Sequence, residues 1–314
     1  MSQSDEPGPV TGSYRASPRP TFDEPTCITR EAATRHIWGD PQSGEVADWI
    51  YVSSRYVHAL VFELEPHGYF GHSPDHRTVF AADELLYVLE GVMAIANPET
   101  GEICRVPAGE SVFFRRDTWH HAFAHGERPL RVLELFAPPP STGSSGAYAQ
   151  TRPYLENARY AQDETLGRLA PARPSAGSLH RLNEHDIVWR RDLGVLVGLY
   201  ASTEHLTAGV IEVDPGQTAA AHAHGGDEIV YVTEGELTVR AWHGEKVCVY
   251  ELARTMRATS PSDVATSTGT SDPLRRGLFS VSRRPTSSES VFRHRRRRHQ
   301  AGCCGSRGAE RPDH

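Results

Sequence analysis

The stretch His222-Ala223-His224-Gly225-Gly226-Asp227-Glu228 brings together three groups that can hold a metal ion. Imidazoles at i and i+2 on a strand point to the same face. The carboxylate of Glu228 lies four residues after the second imidazole, past a Gly-Gly turn, and can fold back onto that face. Two neutral imidazole nitrogens and one carboxylate make a facial triad, which binds a divalent metal and leaves positions open for substrate or water. A lone His-x-His would carry little weight, because such pairs are commonly just solvated. Here Gly216 precedes the pair and Gly235 follows the acid, giving G-x5-H-x-H-x3-E-x6-G with five defined positions at fixed spacing.

A metal so held binds bidentate oxygen ligands such as an enediol, a 2-hydroxy acid or a 1,3-diketone. With iron it can activate O2; with Mn, Ni or Zn it acts as a Lewis acid on a carbonyl or on water. One divalent metal is expected, and the same ligands suit Fe, Mn, Ni, Co or Zn.

A second copy of the frame lies upstream. Glu84-Leu-Leu-Tyr-Val-Leu-Glu-Gly91 matches Glu228-Ile-Val-Tyr-Val-Thr-Glu-Gly235, with an offset of 144 residues (228 − 84 = 144). The same offset takes Cys104 to Cys248 and Pro129-Leu130-Arg131 to Pro273-Leu274-Arg275. A duplication at this period means two similar domains rather than a solenoid.

The G-x5-H-x-H-x3-E-x6-G frame resembles the first signature motif of the cupin superfamily, and the duplication resembles a bicupin. The resemblance implies an all-β fold of two tandem jelly-roll barrels, here joined by a short helical, Pro-rich linker. It also implies a second motif, roughly G-x5-P-x-G followed by a His that serves as fourth ligand. The first repeat has it in Gly101-x5-Pro107-Ala108-Gly109 and then His120. That repeat keeps Glu84, but Thr78 and Phe80 stand at its two His positions, and His72 and His76 are out of register. Metals need three or four convergent ligands, so the N-terminal barrel is expected to be metal-free. Glu84, Trp119, His120 and His121 are its candidate pocket residues.

The second repeat has the opposite defect. It keeps His222, His224 and Glu228, but Val264 stands where His120 would map, and Glu251 and Ala253 replace Pro107 and Gly109. Residues 254–271 show no strand alternation, yet Pro273-Leu274-Arg275 returns in register. Two accounts fit residues 253–272: a divergent segment that keeps a three-ligand triad, or translation out of frame between compensating shifts. The Arg, Ser and Thr enrichment leans to the second.

Other residues take blander parts. Tyr231, three along from Glu228, alternates to the opposite face and reads as packing. Glu90 and Glu234, just before the hairpin glycines, read as solvated. Arg115 and Arg116 read as surface cations that can pair with a carboxylate. Cys104 and Cys248 read as small buried hydrophobes.

The bulk properties bound the rest. The 314 residues suit two domains of ordinary size. The formal charge of −7 is uneven: residues 254–314 carry 13 Arg and 5 acids, leaving 20 basic and 35 acidic residues elsewhere. An acidic body argues against nucleic acid as the main partner. The Arg block 293–298 reads as an unpacked tail. Five cysteines make no disulfide framework. No run of about 18 apolar residues exists, so no membrane span is expected, and no leader-like segment opens the chain. A cytoplasmic, small-molecule-binding protein follows, with pairing of barrels through their sheets and a homodimer as further expectations.

The expected organisation is an unpacked 1–25, an N-terminal barrel over 26–140, a linker over 141–180, a C-terminal barrel over 181–282 and an unpacked 283–314. Thr29–His36 and 155–170 read as helical. Strands are expected at Ala59–Glu65, Leu85–Glu90, Val92–Ala96, Glu102–Val106, Leu130–Phe136, Val195–Tyr200, Ala208–Val213, Glu228–Thr233, Leu237–Trp242 and Val247–Leu252. Three functions remain open: a dioxygenase-type metal enzyme, a metal-dependent isomerase or aminohydrolase, and a non-catalytic binder. No catalytic residue is assigned.

Overall fold

The structure, a computed structural model, describes residues 18–71, 78–139, 178–192, 194–253, 257–260, 265–269 and 275–282. Within these, all regular structure is β. The first half supplies β1 (Thr26–Ile28), β2 (Thr34–Asp40), β3 (Gly44–Ser53), β4 (His58–Leu64), β5 (Tyr69–Phe70), β6 (Asp83–Glu90), β7 (Val92–Asn97), β8 (Glu102–Pro107), β9 (Ser111–Phe114), β10 (His121–Ala124) and β11 (Leu130–Ala137). The second half supplies β12 (His180–Leu182), β13 (Val188–Asp192), β14 (Val195–Ser202), β15 (Leu206–Val213), β16 (His222–Ala223), β17 (Glu228–Glu234), β18 (Glu236–His243), β19 (Lys246–Ala253), β20 (Arg257–Ser260), β21 (Ala265–Gly269) and β22 (Arg275–Ser282).

Each half folds into a jelly-roll barrel of one seven-stranded and one four-stranded sheet. The large sheets run β12-β9-β6-β11-β4-β3-β2 and β1-β20-β17-β22-β15-β14-β13; the small ones run β5-β10-β7-β8 and β16-β21-β18-β19. The two orders are the same strand for strand, as the 144-residue repeat requires. Gly91 and Gly235, the fixed glycines of the repeat, sit at φ 80° and 73° in the tight turns after β6 and β17. A Cβ on Gly91 would lie 2.5 Å from the Pro129 carbonyl oxygen, so neither conformation nor space admits a side chain there.

The halves exchange their first strands. Thr26–Ile28 pairs with Thr259–Arg257 in the second barrel, and His180–Leu182 pairs with Phe113–Ser111 in the first. The segment leading into β1 is tied down as well. Arg19 donates to Ser53 Oγ and the Ser54 carbonyl, the Ser53 amide donates to the Pro20 carbonyl, and Lys246 pairs with Glu24. Residues 18–25 are thus held on the body by contacts that composition does not reveal.

Strand alternation sorts the apolar side chains into three cores. Leu86, Val88 and Val132 point into the first barrel with Ile50, Phe62 and Phe114. Val230, Val232, Leu237 and Val239 fill the second. The opposite faces, carrying Leu85, Leu133, Val210, Ile229 and Tyr231, meet between the large sheets and pack the two barrels against each other. Burying one such aliphatic side chain is worth roughly 1.5–3 kcal/mol. Tyr231 is therefore inter-barrel packing, as its parity indicates.

One expectation is corrected. Thr29–His36 is not helical: a turn at Arg30–Ala33 leads into β2, whose pairing with β3 outweighs a weak helical pattern. Residues 254–271, whose sequence shows no strand alternation, nevertheless contain β20 and β21, both in register with neighbours of the barrel. The helical reading of 155–170 and the 283–314 tail fall outside the described residues. None of the described segments is a helix long and apolar enough to cross a membrane.

Candidate metal centre

His222 and Ala223 form β16, a short strand held against β21 by pairing His222 with Thr266. Gly225, Gly226 and Asp227 turn the chain into β17, whose first residue is Glu228. The parity that sends Val230 and Val232 into the second barrel sends Glu228 there too. His222, His224 and Glu228 each offer a ligand atom, all within 4.8 Å of one another. His224 Nε2 lies 3.7 Å from Glu228 Oε1, and the two imidazoles meet edge to face at 4.7 Å.

The surroundings prepare these donors. His222 Nδ1 lies 2.9 Å from the Ala220 carbonyl oxygen; donating its proton there leaves the Nε2 lone pair free, the usual arrangement for a metal-binding His. Thr266 Oγ1 donates to Glu228 Oε2 at 2.8 Å, which fixes the buried carboxylate and leaves Oε1 toward His224. Burial lowers the His224 pKa, with His222 adding to the effect and Glu228 opposing it, which favours the neutral imidazole. The side chains of both imidazoles are part-exposed while the acid is buried, so the site is open to solvent on the imidazole side. The residues fit a divalent metal: an acid, two neutral imidazoles and an open side.

The first barrel holds a second cluster. Glu84 on β6 and Glu134 on β11 point inward beside His120, again with ligand atoms within 4.8 Å of one another, and all three are buried. His120 Nε2 lies 3.7 Å from Glu84 Oε2. His120 Nδ1 lies 3.2 Å from the Thr118 carbonyl oxygen, and its ring packs on Phe114 at 4.7 Å. Burial pushes the Glu84 carboxyl well above its ordinary value, with Glu134 and Asp83 adding to the effect. Burial raises Glu134 likewise, helped by Asp48, and raises Asp48 itself. His120 is pulled down to about 4 by burial, against the Thr118 bond.

Of the residues expected around this pocket, His120 lines the cavity; Glu84, Trp119 and His121 are buried but do not line it, and Glu84 alone of these three joins the cluster with His120. Sequence reasoning missed Glu134 and Asp48. A signal existed for both: each is an acid at the inward parity of an apolar strand, Glu134 with Val132 and Phe136, Asp48 with Val46 and Ile50. Arg115 does find a carboxylate, bridging buried Asp83 at 3.1 Å and Glu204 of the second half. His72, His76 and Val264 lie outside the described residues.

The comparisons agree with this architecture. Residues 60–136 match the family model described as Cupin domain. Oxalate decarboxylase from Lactobacillus farciminis, solved as a formate complex, superposes with a TM-score of 0.59 at 14% identity, covering 88% of this chain and 89% of that one. A putative glyoxylate-induced protein from Pseudomonas aeruginosa gives 0.60 at 12%, covering 90% and 97%. Protein Ylba from E. coli gives 0.59 at 8%, covering 89% and 98%. No curated protein matches the sequence. At these identities the likeness is one of fold, a cupin jelly roll.

Proposed function

We propose that the chain is a metal-dependent bicupin enzyme whose centre is His222, His224 and Glu228 in the second barrel, acting on a small oxygenated metabolite by dioxygenase-type chemistry. The observation that carries this is the convergence of the three donors within 4.8 Å beside an opening to solvent. A divalent metal bound there would supply a Lewis-acid centre with free positions for a bidentate oxygen ligand and, if iron, for O2. The chain's own part is to hold His222 through Ala220, to fix Glu228 through Thr266 and to leave the His side open. Two similar structures carry names that mention oxalate, formate and glyoxylate, which favours a carboxylate among the candidate ligands. We place the protein in the cytoplasm, as a homodimer binding small molecules.

A second reading, a metal-dependent isomerase or aminohydrolase, draws on the position of the triad: the C-terminal barrel is where bicupins resembling ureidoglycine aminohydrolase carry their metal. Metal analysis of the purified protein and of a His222→Ala, His224→Ala variant tests the centre, and oxygen uptake with iron separates the two chemistries. About one metal lost in the variant, with oxygen uptake on a small 2-oxo or 2-hydroxy acid, supports the first reading. Metal without oxygen uptake supports the second. A second barrel that binds no metal ends both and leaves a non-catalytic binder.

A further inference from the structure

We propose that the first barrel holds its own divalent cation on a carboxylate-rich set, Glu84, Glu134 and His120, in place of the His pair that Thr78 and Phe80 displace. Three strands of one sheet deliver the groups: β6 places Glu84, β11 places Glu134 and β3 places Asp48 beside them, while His120 enters from the loop before β10. Asp48, His120 and Glu134 border a cavity of about 50 Å³ otherwise lined by Trp38, Val46, Phe62, Phe70, Thr78 and Phe80, with no Lys or Arg among the described residues of its wall, and Glu84 adjoins it with a ligand atom within 4.8 Å of those of His120 and Glu134. A space of that size is too small for a metabolite of several carbons, and a water needs about 10–15 Å³ of it, so an ion with two or three waters is what fits.

The second observation is independent of the acids. Glu84 Oε2, His120 Nε2 and Thr78 Oγ1 are all buried without a hydrogen-bond partner among the described residues. His120 Nε2 and Glu84 Oε2 face each other at 3.7 Å, too far for a hydrogen bond. Around one ion at metal–oxygen or metal–nitrogen distances of about 2.1 Å, adjacent donors stand about 3 Å apart, so closing the set needs side-chain movements of under about 1 Å. Buried acids without a cationic partner are costly, and the usual resolutions are neutralisation or a metal. Two carboxylates to one imidazole make a harder donor set than His222, His224 and Glu228, suited to Mn2+ or Fe2+ more than to Zn2+.

The test is Mn2+ binding to metal-stripped, full-length protein, read by calorimetry and by electron paramagnetic resonance. The wild type should take up about two ions and the His222→Ala, His224→Ala variant about one. Adding Glu134→Gln to that variant should weaken the remaining ion by about 10-fold or more. In case Glu134→Gln disturbs the fold, the spin echo of Mn2+ in the double-His variant reads the intact site: modulation from a single imidazole nitrogen, that of His120, is expected. A double-His variant that binds no Mn2+ overturns the proposal and leaves these acids sharing protons, while the second-barrel centre survives. A double-His variant that keeps the wild-type stoichiometry of one supports the first-barrel ion and removes the second-barrel centre instead.

Discussion

Thr266 donates its hydroxyl to Glu228 Oε2 at 2.8 Å, and both side chains are buried. The donor belongs to the stretch in which no strand pattern can be read from sequence. It stands one strand pairing from His222, so β21 both positions the first imidazole and orients the acid. Thr266→Val keeps the shape and removes only the donor. Metal affinity of the second barrel should fall by about 10-fold, the usual scale for losing a ligand's supporting bond, with near-unchanged circular dichroism. Calorimetric titration of the metal-free variant checks this; an affinity equal to wild type would show that Glu228 needs no anchor.

The strand exchange makes the second barrel depend on residues far away in sequence. Ile28 is buried in the layer between the barrels, and its strand closes the edge of β20. Ile28→Ala should cost about 2–5 kcal/mol by lost transfer energy and cavity formation. Hydrogen exchange should rise in β20 and β17, strands 200 or more residues downstream (228 − 28 = 200), as well as in the first half. Exchange confined to residues before 140 would contradict this coupling.

How much of this was legible in sequence follows from the kind of signal involved. Strands with clean alternation and tight Gly turns, such as Asp83–Glu90 and Glu228–Glu234, announce themselves because period and turn chemistry are local. The candidate metal-ligand triad was equally local, spanning seven residues. The exchange of β1 and β12 was not, because three-residue edge strands carry no periodicity and their partners are chosen by tertiary packing. Glu134 went unnoticed within Leu130–Phe136 because one acid in an apolar strand looks like a solvated edge until the register shows it facing inward. β20 and β21 were unreadable for a related reason: Thr and Ser tolerate strands but create no hydrophobic alternation, so pairing alone fixes them.

Asp83 ties the halves together through polar groups. Thr203 Oγ1 donates to its Oδ2 at 2.7 Å, the Arg116 amide to its Oδ1 at 3.2 Å, and Arg115 pairs with it at 3.1 Å. Asp83 is fully buried while Arg115 is partly exposed. Removing the acid takes the charged acceptor from the Thr203 hydroxyl, the Arg116 amide and Arg115 together, whereas removing the Arg leaves Asp83 two bonds. Asp83→Ala should therefore cost about 3–5 kcal/mol and Arg115→Ala about 1 kcal/mol. Urea unfolding of both variants decides it, and equal losses would mean that the ion pair, not the hydrogen bonds, holds the contact.

His58 gives a pH dependence of known sign. It is buried on β4 against the Phe136 ring at 5.4 Å, and burial lowers its pKa to about 3, with the positive charges of Arg19 and His36 acting in the same direction. The unfolded chain titrates this imidazole near 6.5. Between these values the unfolded state binds the extra proton, so the stabilisation due to neutral His58 is complete above about pH 6.5 and is lost as pH falls toward 3. The slope is at most about 1.4 kcal/mol per pH unit. His58→Leu keeps the position apolar and removes the titration. Subtracting its urea-unfolding curve from wild type between pH 7 and 4 isolates the group from the buried carboxyls, which titrate in both proteins. The wild type should lose stability relative to the variant as pH falls; a flat difference would mean that His58 accepts its proton in the folded barrel.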